Sequence, residues 1–376
     1  MDIYLDNAAT TRVCSAAAEA AMHAMTEVYG NPSSTHRVGR EARRLLEDSR
    51  KQVADALGCT PSELVFTSGG TEADNWALLS GADLARRTGR HIISSQTEHD
   101  AIRRTLDVLE RRGFTVTRLA PDATGAIPVE AVEAALQPDT SLISLMLVNN
   151  ETGAINDIAA VSRMLRRKKS PALLHTDAVQ GFCKIAFSPK KLGADLVSIS
   201  GHKIHAPKGV GALYIRQGLR LSPLLNGGGQ EGGLRPGTEP LPAIAAFGAA
   251  AAEAKAQMAQ YLPRMQQLRQ YCADALHARL PGLVLIPGGA AHILSISLPG
   301  YRSEVLMNFL EAHGISVSKS SACKKGGRSH VLEAMGLSAP VIDGALRIGL
   351  SRFTTQEDLD ALVAALGEAA DTLAHR

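Results

Sequence analysis

The chain has 376 residues, enough for two domains, with 45% apolar and 20% charged residues, the balance of an ordinary globular protein. A formal net charge of +3 gives no reason to expect nucleic acid or an anionic membrane as partner. No apolar run is long enough to span a membrane. Met1-Asp-Ile-Tyr-Leu-Asp6 also lacks the basic-then-apolar pattern of a signal peptide, so the expected location is the cytoplasm. The 5 cysteines, Cys14, Cys59, Cys183, Cys272 and Cys323, are widely spaced and form no C-x-x-C pair, which argues against a disulfide framework or a structural zinc site.

Tyr4-Leu-Asp-Asn-Ala-Ala-Thr-Thr11 is a short apolar start that runs into small polar residues. Gly30-Asn-Pro-Ser-Ser34 is a loop of turn formers. A helix follows, with Leu45, Leu46, Val53, Ala56 and Leu57 near a 3.6-residue period. From about residue 60 strands and helices alternate. Glu63–Thr67 is strand-like, Ser68-Gly-Gly-Thr71 is a turn, and a helix runs from Glu72 to Arg86. His91–Ser95, Thr115–Leu119, Ser141–Val148 and Ala172–Asp177 read as further strands, with a helix from about Asp100. Such alternation predicts a mostly parallel sheet covered on both faces.

Asp195 to Gly209 contains the most informative stretch. Leu196–Ile199 is a strand that breaks into Ser200-Gly-His-Lys203, and Val210–Ile215 is the next strand. A lysine at the mouth of a buried strand can be partly desolvated, as a Schiff-base lysine requires. By itself such a residue is more often a solvated turn lysine, and nearby Lys208 fits that description. Beyond residue 250 the texture changes. Ala245–Ala273 reads as one long helix with Pro263 as a candidate break. His292–Leu298 alternates like a half-exposed antiparallel strand. Thr354-Thr-Gln-Glu357 reads as a capping box that opens a terminal amphipathic helix. The expected organisation is a large α/β domain over 15–250, with 1–14 and 251–376 forming a smaller α+β domain.

Ligands of open α/β sheets sit beyond the carboxyl ends of the strands. Those ends carry Ser68-Gly-Gly-Thr71, Gln96-Thr-Glu-His99, Asn149-Asn-Glu151, Asp177 with Gln180, and Ser200-Gly-His-Lys203. The Gly69-Gly-Thr71 turn fits neither the G-x-G-x-x-G nor the Walker pattern, which disfavours a dinucleotide or P-loop site there. A glycine turn before a helix suits a phosphate, an acid suits a basic ring nitrogen, and a lysine suits an aldehyde. Together they suit pyridoxal 5'-phosphate (PLP).

In these motifs the sequence resembles the class V aminotransferase family, and within it the NifS/IscS-type cysteine desulfurases, over nearly the whole chain. Also matching are Gly227-Gly-Gly-Gln-Glu231, Arg235-Pro-Gly-Thr238, Ser321-Ala-Cys323 and Leu346-Arg-Ile-Gly-Leu-Ser-Arg-Phe-Thr-Thr355. The resemblance implies the PLP-dependent transferase fold of type I and these roles. Lys203 binds PLP and shuttles protons. His99 stacks on the ring, and Asp177 pairs with its nitrogen. Gln180 and Asn150 neighbour the ring hydroxyl and the substrate. Gly70, Thr71, Ser200 and His202 hold the phosphate. Thr238 reaches the phosphate of a second copy in a homodimer with shared sites. Arg347, helped by Asn31, clamps the substrate carboxylate, while Arg352 is structural. Cys323 is the nucleophile that takes sulfur from L-cysteine, leaving L-alanine and a persulfide for an acceptor protein. Lys324, Lys325 and Arg328 beside it favour the thiolate. The other four cysteines are structural.

Two departures stand out. The stretch between Cys323 and Ser329-His-Val-Leu332 is about two residues shorter than in the long-loop members, which implies a different delivery to a scaffold. Gly232 stands where the family usually has an arginine, which puts contacts near Thr238 in question. Three readings stay open beside the desulfurase: a selenocysteine lyase, another class V transaminase, and a low-turnover sulfur-relay protein. The acceptor pathway also stays open among iron–sulfur assembly, tRNA thiolation and selenium metabolism.

Overall fold

Short aliphatic runs between amphipathic stretches dictate a sheet sandwiched by helices. The computed structural model, which describes residues 2–319 and 327–374, has that arrangement. The chain opens with β1 (Ile3–Tyr4), α1 (Ser15–Thr26) and α2 (Arg37–Leu57). Next come β2 (Leu64–Thr67), α3 (Gly70–Ala85), β3 (His91–Ser95), α4 (Asp100–Arg111), β4 (Thr115–Leu119) and α5 (Val129–Ala135). They are followed by β5 (Thr140–Ser144), α6 (Ile158–Lys168), β6 (Leu173–Asp177), α7 (Pro189–Leu192), β7 (Leu196–Ser200) and β8 (Gly211–Ile215). The long helix α8 (Leu241–Arg279) leads to β9 (Val284–Ile286), β10 (Ile293–Ser297), α9 (Ser303–Ala312), β11 (Ile315–Ser316) and β12 (Ser318–Lys319). The chain closes with α10 (His330–Ala334), α11 (Ala339–Asp343), β13 (Ala345–Gly349) and α12 (Gln356–Thr372).

A seven-stranded sheet has the order β2-β8-β7-β6-β5-β3-β4. From β7 to β4 its neighbours are parallel, and β8 runs antiparallel to both β7 and β2. The order reverses between β3 and β5, so the crevice at their carboxyl ends is the expected place for a ligand. The predicted strand at Ser141–Val148 is regular only to Ser144. Its continuation still bonds to the β6 region, through Leu145 N to His175 O and Leu147 N to Asp177 O.

A second sheet, β12-β13-β10-β9, is antiparallel, and β1 pairs with β11. Its core, with Leu5, Leu276, Ile296, Leu346 and Leu362, is separate from the core under the seven-stranded sheet. Helix α8 contributes to both, with Ala245–Ala254 in the first core and Leu268–Leu276 in the second. It runs unbroken through Pro263, because that residue and Ala259 four positions earlier are exposed and the freed carbonyl can meet water. Among the described residues no helix is long and apolar enough to cross a membrane.

Two expectations need correction. β10 is not half exposed: all five residues are buried. Leu294 and Ile296 face one core, while the Ser297 hydroxyl donates to Val341 O (2.6 Å) under the α11 segment. Alternation therefore reflects two covered faces of different polarity. The terminal capping box is Thr355 with Asp358, one residue later than Thr354 with Glu357.

An ion pair ties α2 to the segment before α8. Arg50 donates to both oxygens of Glu231 (2.8 and 2.6 Å), and one of these oxygens accepts from Phe66 N (2.8 Å). Glu231, Gly232 and Gly233 have φ of 49°, 66° and 79°, a left-handed run that favours glycine at position 232. Arg50→Ala would strand a Glu231 carboxylate whose side chain is only 2% exposed. The expected loss is about 3–5 kcal/mol in urea unfolding. Removing Glu231 as well should recover part of it.

Candidate active site

A cleft of about 360 Å³ opens beyond the carboxyl ends of β3, β5, β6 and β7. Lys203 ends a short 3-10 turn directly after β7, and its Nζ donates to Ala8 O (2.7 Å) and Ala9 O (2.6 Å). Gly201 makes this turn possible, because a β-carbon there would lie 3.0 Å from Val210. His202 bonds through Nδ1 to Thr10 Oγ1 (3.1 Å). Burial, and then Lys203, push its pKa down to about 4, so the ring is neutral.

Asp177 ends β6, and its Oδ1 accepts from Val179 N (2.9 Å). Burial raises its pKa, while His99 and Lys203 pull the other way. His99 caps α4, with Nδ1 accepting from Ala101 N (3.2 Å), which leaves Nε2 as the nitrogen that can donate into the cleft. Gly70 and Thr71 open α3 and line the same cleft, next to Ser200 and His202. A β-carbon on Gly70 would sit 2.7 Å from the Val179 side chain. The positive end of this 16-residue helix lies at the cleft wall, and only a residue without a side chain fits there against Val179. Gln180 donates to Ala8 O (2.8 Å) and accepts from Lys184 Nζ (3.2 Å).

Arg347 reaches the cleft from β13. It donates to Asn150 O (2.8 Å) and Asp6 Oδ1 (2.9 Å), and among the described residues its Nε has no partner. Arg328 and His330 also line the cleft, so the chain directly after the Cys323 segment borders it. Cys323 itself lies outside the described residues.

Two predicted residues are not in the cleft. Asn31 is exposed and caps its own loop by accepting from Ser33 N (2.9 Å). Thr238 is also exposed, in a segment anchored by the Arg235–Glu72 ion pair (2.9 Å). Arg352 is buried and paired with Glu253 (3.0 Å). Cys14, Cys59, Cys183 and Cys272 are buried or half-buried thiols, and burial raises the pKa of each.

Three buried acids escaped the sequence reading. Asp74, on α3, lines the cleft and lies 3.7 Å from His175 Nε2. Glu98, 0% exposed, accepts from Ser95 Oγ (2.6 Å) and Met146 N (3.1 Å). Glu151 accepts a hydrogen bond from Ser329, just after the Cys323 segment. Burial pushes Glu98 up to about 8 and Glu151 up to about 7. The only signal for Glu98 and Glu151 was position beside His99 and Asn150, and Asp74 follows Thr71 by one helical turn.

The Aminotransferase class-V profile matches residues 3–362. The chain belongs to that family. Its relatives place it on the NifS/IscS-type cysteine desulfurase branch. It is 40% identical over 371 residues to the cysteine desulfurase IscS of Serratia proteamaculans (strain 568), covering 96% of this chain and 90% of that one. A solved NifS-like protein superposes with a TM-score of 0.94 at 38% identity, covering 99% of this chain and all 100% of that one. The structure described as SspA in complex with cysteine gives 0.82 at 32% identity, covering 94% and 100%.

The buried acids make stability depend on pH. The native class-V fold keeps protons on Glu98 and Glu151 that unfolded carboxylates release near 4.5. The contribution of these two acids is therefore lost as pH rises from 4.5 to about 8, while the histidines whose pKa burial lowers, His175, His202 and His205, contribute in the opposite direction up to 6.5. Glu98→Gln keeps the acceptor oxygen and should flatten the fall by about 1.4 kcal/mol per pH unit. Urea unfolding at a series of pH values reads this slope.

Proposed function

We propose that this cysteine desulfurase holds PLP on Lys203 and passes the sulfur of L-cysteine through Cys323 to an acceptor. The observation that carries the reading is the convergence of Lys203, Asp177, His99 and the start of α3 on one cleft, opposite Arg347. The residues fit the cofactor. Asp177 is a buried carboxylate without a full countercharge, which a protonated ring nitrogen would supply. The start of α3 at Gly70 and Thr71, with Ser200 and His202 lining the same cleft, suits a phosphate. When bound, PLP supplies an electron sink for negative charge at the substrate α-carbon.

The chain's own residues do the rest. Arg347, already held by Asn150 and Asp6, presents its guanidinium to the substrate carboxylate. Lys203 Nζ takes the α-proton and returns a proton to carbon. His99, whose Nε2 is not used by the capping bond, would pack against the bound cofactor and assist that transfer. The Cys323 thiolate attacks the substrate sulfur. A sulfur–sulfur bond forms, the carbon–sulfur bond breaks, the carbon is protonated, and L-alanine leaves. Oxidation of sulfur balances reduction of carbon, so no outside oxidant is required. The border position of Arg328 and His330 supports the approach of Cys323.

The exposed position of Thr238 suits a homodimer in which it reaches the phosphate held by the second copy. The persulfide would pass to an acceptor protein such as an iron–sulfur scaffold, in the cytoplasm. The relatives' names, and the neighbour solved with cysteine, favour sulfur over the selenocysteine lyase reading.

Cys323→Ser should keep the visible absorbance of bound PLP. With L-cysteine and reductant, sulfide and alanine production should both fall on the order of a hundredfold or more. Undiminished alanine production would remove Cys323 from the reaction.

A further inference from the structure

A second, small cavity of about 30 Å³ shares Lys203 with the cleft. Its wall gathers Lys184, Lys203, His205, His292 and Arg352, and among the described residues no Asp or Glu lines it. Lys184 is 8% exposed, and among the described residues its one hydrogen-bond acceptor is the neutral Gln180 Oε1 (3.2 Å). His292 is 1% exposed, and neither ring nitrogen has a hydrogen-bond partner among the described residues. The Arg352 side chain is 4% exposed and pairs with Glu253, yet among the described residues its Nε and Nη1 have no hydrogen-bond partner.

The other polar wall groups add no negative charge. Burial pushes the Cys183 thiol up to about 12 and raises the Tyr261 phenol, so both are neutral. The Tyr261 hydroxyl is already spent on Cys183 O (2.5 Å). Glu253 is matched by Arg352, which among the described residues leaves Lys184 without a countercharge. A buried ammonium in that position either loses its proton or acquires an anion. Burial and the neighbouring cations Lys203 and Arg347 both press Lys184 towards losing it. An anion in the cavity would reverse that pressure.

We propose that this cavity binds one monatomic anion, chloride in the natural setting, between the Lys184 ammonium, an N–H of His292 and the Arg352 guanidinium. The volume suits an occupant about the size of one or two waters. It excludes tetrahedral anions such as sulfate. Cationic donors on several sides, with no acid among them, favour a halide over water. The site is also linked to the lysine of the cleft. Lys184 bonds to Gln180, Gln180 donates to Ala8 O, and Lys203 donates to the same carbonyl.

Crystals of the PLP-loaded protein grown with bromide in place of chloride test this. An anomalous bromide peak in the cavity, touching Lys184 and His292, is expected. Ordinary water density without an anomalous peak would overturn the proposal, as would bromide found only on the surface. In solution, replacing gluconate by chloride at constant ionic strength should raise the melting temperature by a few degrees. Lys184→Met should abolish that rise. An equal rise in the variant would also overturn the proposal.

Discussion

The structure depends on how the N-terminal segment is clamped against the end of β7. Lys203 Nζ is held by the carbonyls of Ala8 and Ala9, and Thr11 bonds to His202 O through both its backbone N and its hydroxyl. The same segment is fastened to the second sheet. Asn7 donates to Gly349 O (2.9 Å), Asp6 pairs with Arg347, and Leu5 is buried in the second core. One short strip of chain therefore aligns a lysine from one sheet with an arginine from the other. The cleft between them is built by backbone carbonyls, which cannot be mutated away one side chain at a time.

Around this clamp the charges are sorted by sign. Asp74, Glu98 and Asp177 lie buried on the β3–β6 side, and each has its pKa raised by burial. Lys184, Arg347 and Arg352 lie buried on the Lys203 side. Burying these groups costs stability, whether an acid is kept protonated or a cation is left short of hydrogen-bond partners. It also makes the cleft ready to bind a group with a phosphate, a basic ring nitrogen and a carboxylate. Strain of this kind is the usual cost of a preorganised site.

The strand ends were legible in the sequence because each short buried run stops at small polar residues. His99, Asp177 and Lys203 stood out for that reason, and all three line one cleft. Asp74, Glu98 and Glu151 did not stand out, since an acid on a helix or in a turn reads as solvated until its surroundings are known. Lys184 was hidden in the same way. The burial of β10 depends on helices and loops far away in sequence, so alternation alone gave the wrong exposure. Pro263 read as a break because a sequence does not reveal which carbonyls can reach water. The exposed site of Asn31 likewise depends on how its loop folds back on itself.

The central claim is that Lys203 is the lysine that carries the cofactor. The direct measurement is borohydride reduction of the PLP-loaded protein, followed by proteolysis and mass analysis of the labelled peptide. The account predicts one stoichiometric pyridoxyl label on Lys203. A label on Lys184 or Lys208, or no stable label at all, would contradict it.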